Sequence, residues 1–232
     1  MTGPIFELAC RLAQRVPARV VFDVGAHLGE MSRYFLDVLP GAQVFAFEPQ
    51  AASRERLLQR FAGEPRLQVV DAALGESRGL TCFHEGVSSA TSSRFPRNVA
   101  GRRYYRSDFV MCQSTEVRLE TLDGFCADAG IERIDLLKLD TQGGERDILL
   151  GASGLLDAGC IEVIVTEFFV VPHYEGAPLF DEIWTLLRRF GYELFDIQCG
   201  PHANNGQLRY GDALFVSPGF RRTQLDNAAA EP

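Results

Sequence analysis

Short apolar runs recur along this chain and predict strands buried inside a sheet. The first run, Val20–Val24, is β-branched or aromatic at every position except Asp23, which is typical of a parallel strand covered on both faces. Six later runs have the same character, namely 42–47, 67–70, 134–139, 161–166, 192–197 and 213–216. The pattern therefore predicts seven strands.

Apolar residues at three- and four-residue spacing fill most intervals between these runs and predict helices. The predicted helices centre on residues 5–12, 28–38, 57–61, 122–129, 148–149 and 180–190. Strands that alternate with helices in this way predict an α/β fold of the Rossmann-like type. We expect a seven-stranded, mostly parallel sheet with helices on both faces and a C-terminal antiparallel hairpin.

The alternation breaks between residues 80 and 118. A short strand-like piece, Leu80–His84, is followed by small residues and then by the only basic concentration of the chain. Its arginines are Arg94, Arg97, Arg102, Arg103 and Arg106. The segment is either a solvated loop or hairpin, or an irregular cover over a site whose guanidinium groups bind a phosphate or carboxylate. We place it inside a single domain spanning 1–218 and predict a flexible tail over 219–232.

Composition excludes several classes of protein. The 232 residues have a net charge of −8, which is a poor match for a nucleic-acid backbone, so we expect no nucleic-acid partner. No apolar window of membrane-spanning length occurs, and the N-terminus has no secretion signal. Six scattered cysteines without a Cys-x-x-Cys pair favour a reducing, cytoplasmic setting. The sequence leaves a homodimer open.

A glycine turn follows the first strand. Gly25 and Gly29 allow the backbone to approach a ligand closely, whereas His27 stands where a dinucleotide fingerprint has its middle glycine. Asp23 at the strand end would suit a cation, such as the α-ammonium group of an amino acid. The alternative is a glycine turn that serves packing alone.

Acidic residues also end the next two strands. Glu48, followed by Pro49, lies close to the position expected for a carboxylate that accepts both hydroxyls of a ribose. Asp71, followed by Ala72, lies where an acid could accept a hydrogen bond from an adenine amino group. Acids at three successive strand ends predict one groove.

Four motifs in register resemble those of the FkbM-type methyltransferases. They are Asp23–Gly29, Phe47–Pro49, Thr121–Asp123 and Leu137–Glu145, and the resemblance covers about Val20 to Val216. It implies a class I methyltransferase fold that binds S-adenosyl-L-methionine and releases S-adenosyl-L-homocysteine. By resemblance, Asp23, Gly25 and Gly29 would hold the methionine part, Glu48 the ribose, and Asp71 or Ala72 would lie by the adenine. Ala26, His27 and Pro49 are further candidates for cofactor contacts, and Asp140 could orient the substrate or the cofactor's amino group. The family usually has Asn at His27 and Glu at Gln142.

The resemblance implies transfer of a methyl group to a hydroxyl of a small molecule, such as a sugar, a glycoconjugate or a secondary metabolite. His173 is the first candidate for the base, because its ordinary pKa leaves it largely neutral near pH 7. Asp140 and Glu167 are the other catalytic candidates. Arg102, Arg103 and Tyr174 are the candidates for contacts to the acceptor. No spacing of acids or histidines indicates a metal site.

Two other functions and a non-catalytic role share parts of this pattern. A ribose 2′-O-methyltransferase acting on RNA would need two lysines, and Lys138 is the only lysine in the chain. A nicotinamide oxidoreductase would need the missing middle glycine. A non-catalytic cofactor-binding protein of the same fold remains open because Gln142 replaces a charged residue.

Overall fold

The computed structural model describes residues 3–86, 92–99, 101, 104 and 111–226. The strands in this part of the chain are β1 (Val20–Val24), β2 (Gln43–Phe47), β3 (Leu67–Val70), β4 (Ala73–Leu74), β5 (Gly79–Gly86), β6 (Met111–Glu120), β7 (Ile134–Leu139), β8 (Ile161–Phe169), β9 (Glu193–Cys199) and β10 (Tyr210–Val216). The helices are α1 (Pro4–Ala13), α2 (Glu30–Val38), α3 (Ala51–Arg60), α4 (Leu122–Ala129), α5 (Glu145–Leu150), α6 (Ser153–Asp157), α7 (Phe180–Arg189) and α8 (Pro218–Phe220).

The main sheet has seven strands in the order β3-β2-β1-β7-β8-β10-β9. The first five run parallel to one another, and β10 lies antiparallel between β8 and β9. The predicted fold class is therefore confirmed. The strand order reverses beside β1, which places the carboxyl ends of β1, β2 and β7 around one crevice, where open α/β sheets bind their ligands.

Strand alternation divides the apolar side chains between two cores. Phe22 and Val24 pack on the face covered by α4, α5 and α7, whereas Val21 packs on the face covered by α1, α2 and α3. Helices therefore lie on both faces of the sheet, as predicted. The long strand β8 extends to Phe169 rather than ending at 166, so Glu167 belongs to the strand and pairs opposite Asp212 of β10.

The segment predicted to be an irregular insert contains regular structure. β5 and β6 pair antiparallel over nearly their whole length, and β4 joins them in a second, three-stranded sheet. The local pattern around Leu80–His84 indicated β5, but its partner strand begins more than 20 residues later. A pairing at that separation depends on tertiary contacts and has no local signal in the sequence.

The chain after the last strand also differs from the predicted flexible tail. Ser217 caps α8 by accepting a hydrogen bond from the Phe220 N–H group at 3.0 Å, and residues 221–225 continue as a π-helical turn. Phe220 is buried in the core against the sheet, which holds this end in place. The remainder of the predicted tail, 227–232, lies outside the described residues. Among the described residues, no helix is both long and apolar enough to cross a bilayer.

Candidate active site

A cleft opens at the carboxyl ends of β1, β2 and β7. Six of the predicted cofactor residues line it, namely Gly25, His27, Glu48, Pro49, Ala72 and Asp140. Four others, Asp23, Ala26, Gly29 and Asp71, do not.

The glycine turn brings the backbone of β1 against that of β7. Gly25 has a φ of +77°, and a Cβ atom there would lie 1.9 Å from the carbonyl oxygen of Asp140. Gly29 begins α2 with a φ of +78°, and a Cβ atom there would collide with Leu57 and Phe61. Gly25 is thus required for the shape of the cleft, whereas Gly29 is required for packing behind it.

Two backbone N–H groups hold the carboxylate of Glu48 in the cleft wall. Its Oε2 atom accepts a hydrogen bond from the His27 N–H group at 2.8 Å, and its Oε1 atom accepts one from the Gln50 N–H group at 2.8 Å. The side chain is 4% exposed, and burial raises its pKa to about 7, although the two N–H donors partly offset this. Each oxygen keeps a lone pair with which it can accept a ligand hydroxyl.

Asp23 lies behind the cleft and does not offer a free carboxylate to a ligand. Strand alternation turns it towards α2, where Ser32 donates a 2.6 Å hydrogen bond to Oδ2. Lys138, its neighbour in register on β7, forms a 2.9 Å ion pair with Oδ1. The prediction that Asp23 binds an ammonium group is therefore not supported, because its charge is already compensated by Lys138.

Asp140 is better placed for that role. It lines the cleft, its side chain is 45% exposed, and its Oδ2 atom lies 3.8 Å from the Lys138 Nζ atom. Burial alone would lower the pKa of Lys138, but the charges of Asp23 and then Asp140 outweigh it and raise that pKa. The lysine therefore stays charged and holds two acids, of which only Asp140 reaches the cleft.

Asp71 points away from the cleft. Its carboxylate pairs with Arg54 at 2.8 Å and lines an adjoining groove that also contains Arg118. The predicted contact between Asp71 and an adenine amino group is therefore not supported. The next residues, Ala72, Ala73 and Leu74, provide an apolar wall of the cleft instead.

The second sheet supplies a wall of the cleft that the sequence did not predict in detail. Phe83 of β5, together with Ser92 and Arg94, faces the cleft near Leu74. Arg94 donates a 3.3 Å hydrogen bond to the Leu74 carbonyl oxygen and lies 3.5 Å from the Asp147 carboxylate. Its place among the arginines of the segment was the only signal that could have indicated this residue.

The turn after β7 joins several polar side chains into one network. Gln142 donates from Nε2 to Asp140 at 3.1 Å and to Glu167 at 2.8 Å, and the Tyr174 hydroxyl donates to its Oε1 atom at 2.7 Å. The fully buried Glu145 accepts hydrogen bonds from Thr141 and from the Gly143 N–H group, which fixes the shape of the turn.

Tyr174 and Glu167 lie behind this network and do not line the cleft. Tyr174 is 1% exposed and stacks under the Arg97 guanidinium, so it supports Gln142 rather than facing an acceptor. Glu167 is 9% exposed. Burial, followed by the charges of Asp140 and Glu145, raises its pKa well above the usual range of a carboxyl group.

His173 does not lie where a base would be needed. It is 5% exposed, its ring stacks on Tyr174, and its Nε2 atom is in contact with the Arg97 guanidinium. Burial and then the charges of Arg97 and Arg209 lower its pKa to about 3. A histidine in this environment is a weak base, so the sequence prediction that His173 accepts the proton is not supported by this geometry.

Arg102 and Arg103, which were predicted to contact the acceptor, lie outside the described residues. Within the described ranges, no group of three or more His, Cys, Asp or Glu side chains is arranged to hold a metal ion.

The geometry can be tested against the cofactor that the sequence resemblance implied. S-adenosyl-L-methionine carries a vicinal diol, a planar adenine and an ammonium group. The cleft offers Glu48 for the diol, an apolar wall at Ala72–Leu74 with Phe83 nearby, and the partly exposed carboxylate of Asp140. These residues fit the group.

Comparison with known proteins gives a consistent result. A family model described as the methyltransferase FkbM domain matches residues 23–194. The 2-O-methyltransferase NoeI of Sinorhizobium fredii is 28% identical over 179 residues, which cover 75% of this chain and 73% of that protein. The 31-O-demethyl-FK506 methyltransferase FkbM of Streptomyces tacrolimicus is 29% identical over 215 residues, which cover 81% of this chain and 79% of that protein.

Solved structures show likeness of fold. TrmK of M. capricolum, solved with S-adenosyl-homocysteine, has a TM-score of 0.51 and 9% identity, covering 94% of this chain and 70% of that chain. Sp1610 of Streptococcus pneumoniae, solved with S-adenosyl-L-methionine, has a TM-score of 0.50 and 11% identity, covering 94% of this chain and 73% of that chain. Because the family model spans most of the sheet and the cleft residues, the chain belongs to the FkbM methyltransferase family.

Proposed function

We propose that this protein is an S-adenosyl-L-methionine-dependent O-methyltransferase that acts on a hydroxyl group of a small molecule, most simply a sugar, a glycoconjugate or a secondary metabolite. The observation that carries the proposal is the pair of carboxylates, Glu48 and Asp140, that line one cleft at the carboxyl ends of the parallel strands. The names of the relatives NoeI and FkbM, both describing methyl transfer to oxygen, support the choice of a hydroxyl acceptor.

The residues of the cleft divide the work of binding. The two oxygens of Glu48 accept the hydroxyls of the ribose, and Asp140 accepts a hydrogen bond from the ammonium group. Phe83 and the Ala72–Leu74 wall cover the adenine. Binding at these separate points orients the reacting end of the ligand and reduces the entropy that must be lost in the transition state.

The transfer itself requires little chemistry from the protein. S-adenosyl-L-methionine supplies a methyl group bound to a positively charged sulfur, which a hydroxyl oxygen can attack in line. The protein must hold that oxygen and accept its proton. Glu167 lies behind the cleft wall, 2.8 Å from the amide of Gln142, which lines the cleft, so it is the proposed acceptor of a proton relayed through one water molecule. Its raised pKa gives it a higher proton affinity than an ordinary carboxylate.

A direct test uses binding first and transfer second. Calorimetry is expected to show that the protein binds S-adenosyl-L-homocysteine and not NAD. Isotope-labelled S-adenosyl-L-methionine is then offered with a panel of free sugars, nucleotide sugars and hydroxylated polyketides, together with an RNA sample. Transfer to a hydroxyl compound is the expected result, whereas preferred transfer to RNA would contradict the proposal. Binding without transfer to any hydroxyl acceptor would favour a non-catalytic role.

The Glu48→Gln variant tests the ribose contact. An amide has one acceptor oxygen, so one of the two N–H groups that Glu48 binds would face an NH₂ group. We expect the affinity for S-adenosyl-L-homocysteine at pH 8 to fall about 10- to 100-fold. Glu48 has a pKa raised to about 7, so its charged form is lost as the pH falls below that value. Wild-type affinity should therefore weaken below pH 7, and the variant should lose this dependence.

The control for this variant is Glu55→Gln, the same chemical change at an exposed position of α3. Calorimetry at pH 6, 7 and 8 measures all three proteins. If Glu48→Gln keeps wild-type affinity at pH 8, the assignment of the ribose to Glu48 is wrong.

A further inference from the structure

Gln142 has an unusual backbone conformation for a residue with a side chain. Its φ is +60°, in the left-handed region that residues other than glycine rarely adopt. The following Gly143 has a φ of +106°, and a Cβ atom there would lie 2.8 Å from Ala177. The turn is therefore closely surrounded, and its conformation is maintained by contacts outside the local sequence.

Four hydrogen bonds hold Gln142 in this conformation. Its two amide protons reach Asp140 and Glu167, at 3.1 and 2.8 Å from Nε2, and its Oε1 atom accepts from the Tyr174 hydroxyl at 2.7 Å. Its carbonyl oxygen accepts from the Ser93 hydroxyl at 2.6 Å. Both donors and the acceptor of the side chain are thus engaged with named partners.

The chemistry of the partners determines which way the amide faces. The carboxyl oxygens of Asp140 and Glu167 accept hydrogen bonds from the NH₂ end of the amide, and the Tyr174 hydroxyl donates to its oxygen end. Gln142 therefore acts as a neutral donor placed between two acids. A glutamate of the same shape would add a third negative charge, and a methionine of similar length would provide no donor.

The surroundings of Glu167 make such a donor important. Asp140, Glu145 and Asp212 place negative charge near Glu167. Within the described part of the chain, the positive charge of Lys138 opposes their effect on the pKa of Glu167. Lys138 is already bound to Asp23. A hydrogen bond from a neutral amide stabilises the charged form of Glu167 without removing Lys138 from its other partner.

We propose that Gln142 is a positioning residue that aims the Asp140 carboxylate at the cofactor's ammonium group and sets the proton affinity of Glu167. This inference rests on the function proposed above. It assigns Gln142 to both halves of the reaction, the binding of the methionine part and the acceptance of the hydroxyl proton, through one amide group.

The first test compares two ligands that differ only at the methionine end. S-adenosyl-L-homocysteine carries the amino-acid part, whereas 5′-methylthioadenosine lacks it. In Gln142→Met, we expect calorimetry to show about 10-fold weaker binding of the first ligand and unchanged binding of the second, because only the first contacts Asp140. An equal loss for both ligands would indicate a merely structural role and would overturn the proposal.

The second test needs no ligand. In protein carrying ¹³C-labelled glutamate, an NMR titration follows the carboxyl groups, and Glu167→Gln identifies the resonance of Glu167. Loss of a hydrogen bond to the charged form should raise the pKa of Glu167 in Gln142→Met by about one unit. An unchanged titration midpoint would overturn the proposal.

Two further variants keep the test decisive. If Gln142→Met folds poorly, Gln142→Glu is a second variant that preserves the shape of the side chain. It should raise the titration midpoint of Glu167 because it adds a negative charge beside that residue. Gln59→Met makes the same chemical change at an exposed position and should alter neither readout. If wild-type protein binds neither ligand, the proposed function fails. If it binds both and Gln142→Met matches wild type, only the present inference fails.

Discussion

Replacing Lys138 by methionine is expected to lower the free energy of unfolding by about 3–5 kcal/mol. Lys138 is 3% exposed, and Asp23, its ion-pair partner at 2.9 Å, is fully buried. The substitution keeps a side chain of similar length but leaves the Asp23 carboxylate without its counter-charge in a low-dielectric interior. It also removes the donor to the carbonyl oxygens of Val24 and Gly25, at 3.3 and 2.9 Å.

The ammonium group of Lys138 therefore also links the glycine turn to β7 by hydrogen bonds. Loss of these bonds should loosen the cleft as well as the core, so ligand binding should weaken together with stability. Urea unfolding measures the change, and an unaltered slope against denaturant would show that the two states remain comparable. As a control, the double variant Asp23→Leu with Lys138→Met removes both charges and should be more stable than Lys138→Met alone. A loss below about 1 kcal/mol in the single variant would resemble a solvent-exposed pair and contradict this account.

Replacing Glu167 by glutamine is expected to reduce turnover by about 10²- to 10⁴-fold while S-adenosyl-L-homocysteine still binds. The amide keeps an oxygen that can accept the hydrogen bond from Gln142 but cannot take up a proton. Because the pKa of Glu167 is raised, the wild-type enzyme should lose activity as the pH falls through a value well above that of an ordinary carboxyl group. The pH–rate profile of the variant should lack this loss of activity at low pH.

The matched control for this experiment is Asp212→Asn. Asp212 pairs opposite Glu167 across β8 and β10, and its negative charge contributes to the raised pKa of Glu167. Removing that charge should move the loss of activity in the pH–rate profile to lower pH and leave the maximal rate nearly unchanged. Wild-type turnover in Glu167→Gln would remove Glu167 from the mechanism.

Much of the cleft could be predicted because its residues follow strand ends. Glu48 and Asp140 come directly after buried runs, and the carboxyl ends of neighbouring parallel strands necessarily meet at one edge. Gly25 could be predicted because a strand that turns sharply beside its neighbour has no room for a Cβ atom. These inferences needed only the period of the strands and the parallel direction of the sheet.

For three residues, the outcome depended on contacts between elements of the fold, which the sequence pattern does not show. Asp23 lies inside β1, and its carboxylate is compensated because the register of β1 against β7 places Lys138 beside it. Asp71 follows β3 directly, but its side chain turns to Arg54 on α3. The basicity of His173 depends on burial against Arg97 and Arg209. In each case, the deciding neighbour comes from another element of the fold.

The hydrophobic pattern by itself determined the α/β class, the seven strands of the main sheet and the edge at which the cleft forms, because periodicity is a local property of the chain. The tertiary structure alone decided which acids of that edge face the cleft, which are compensated, and how β5 and β6 supply a further wall. Charge compensation and burial depend on distances between elements far apart in sequence, and these distances are set only when the sheet register and the packing are complete.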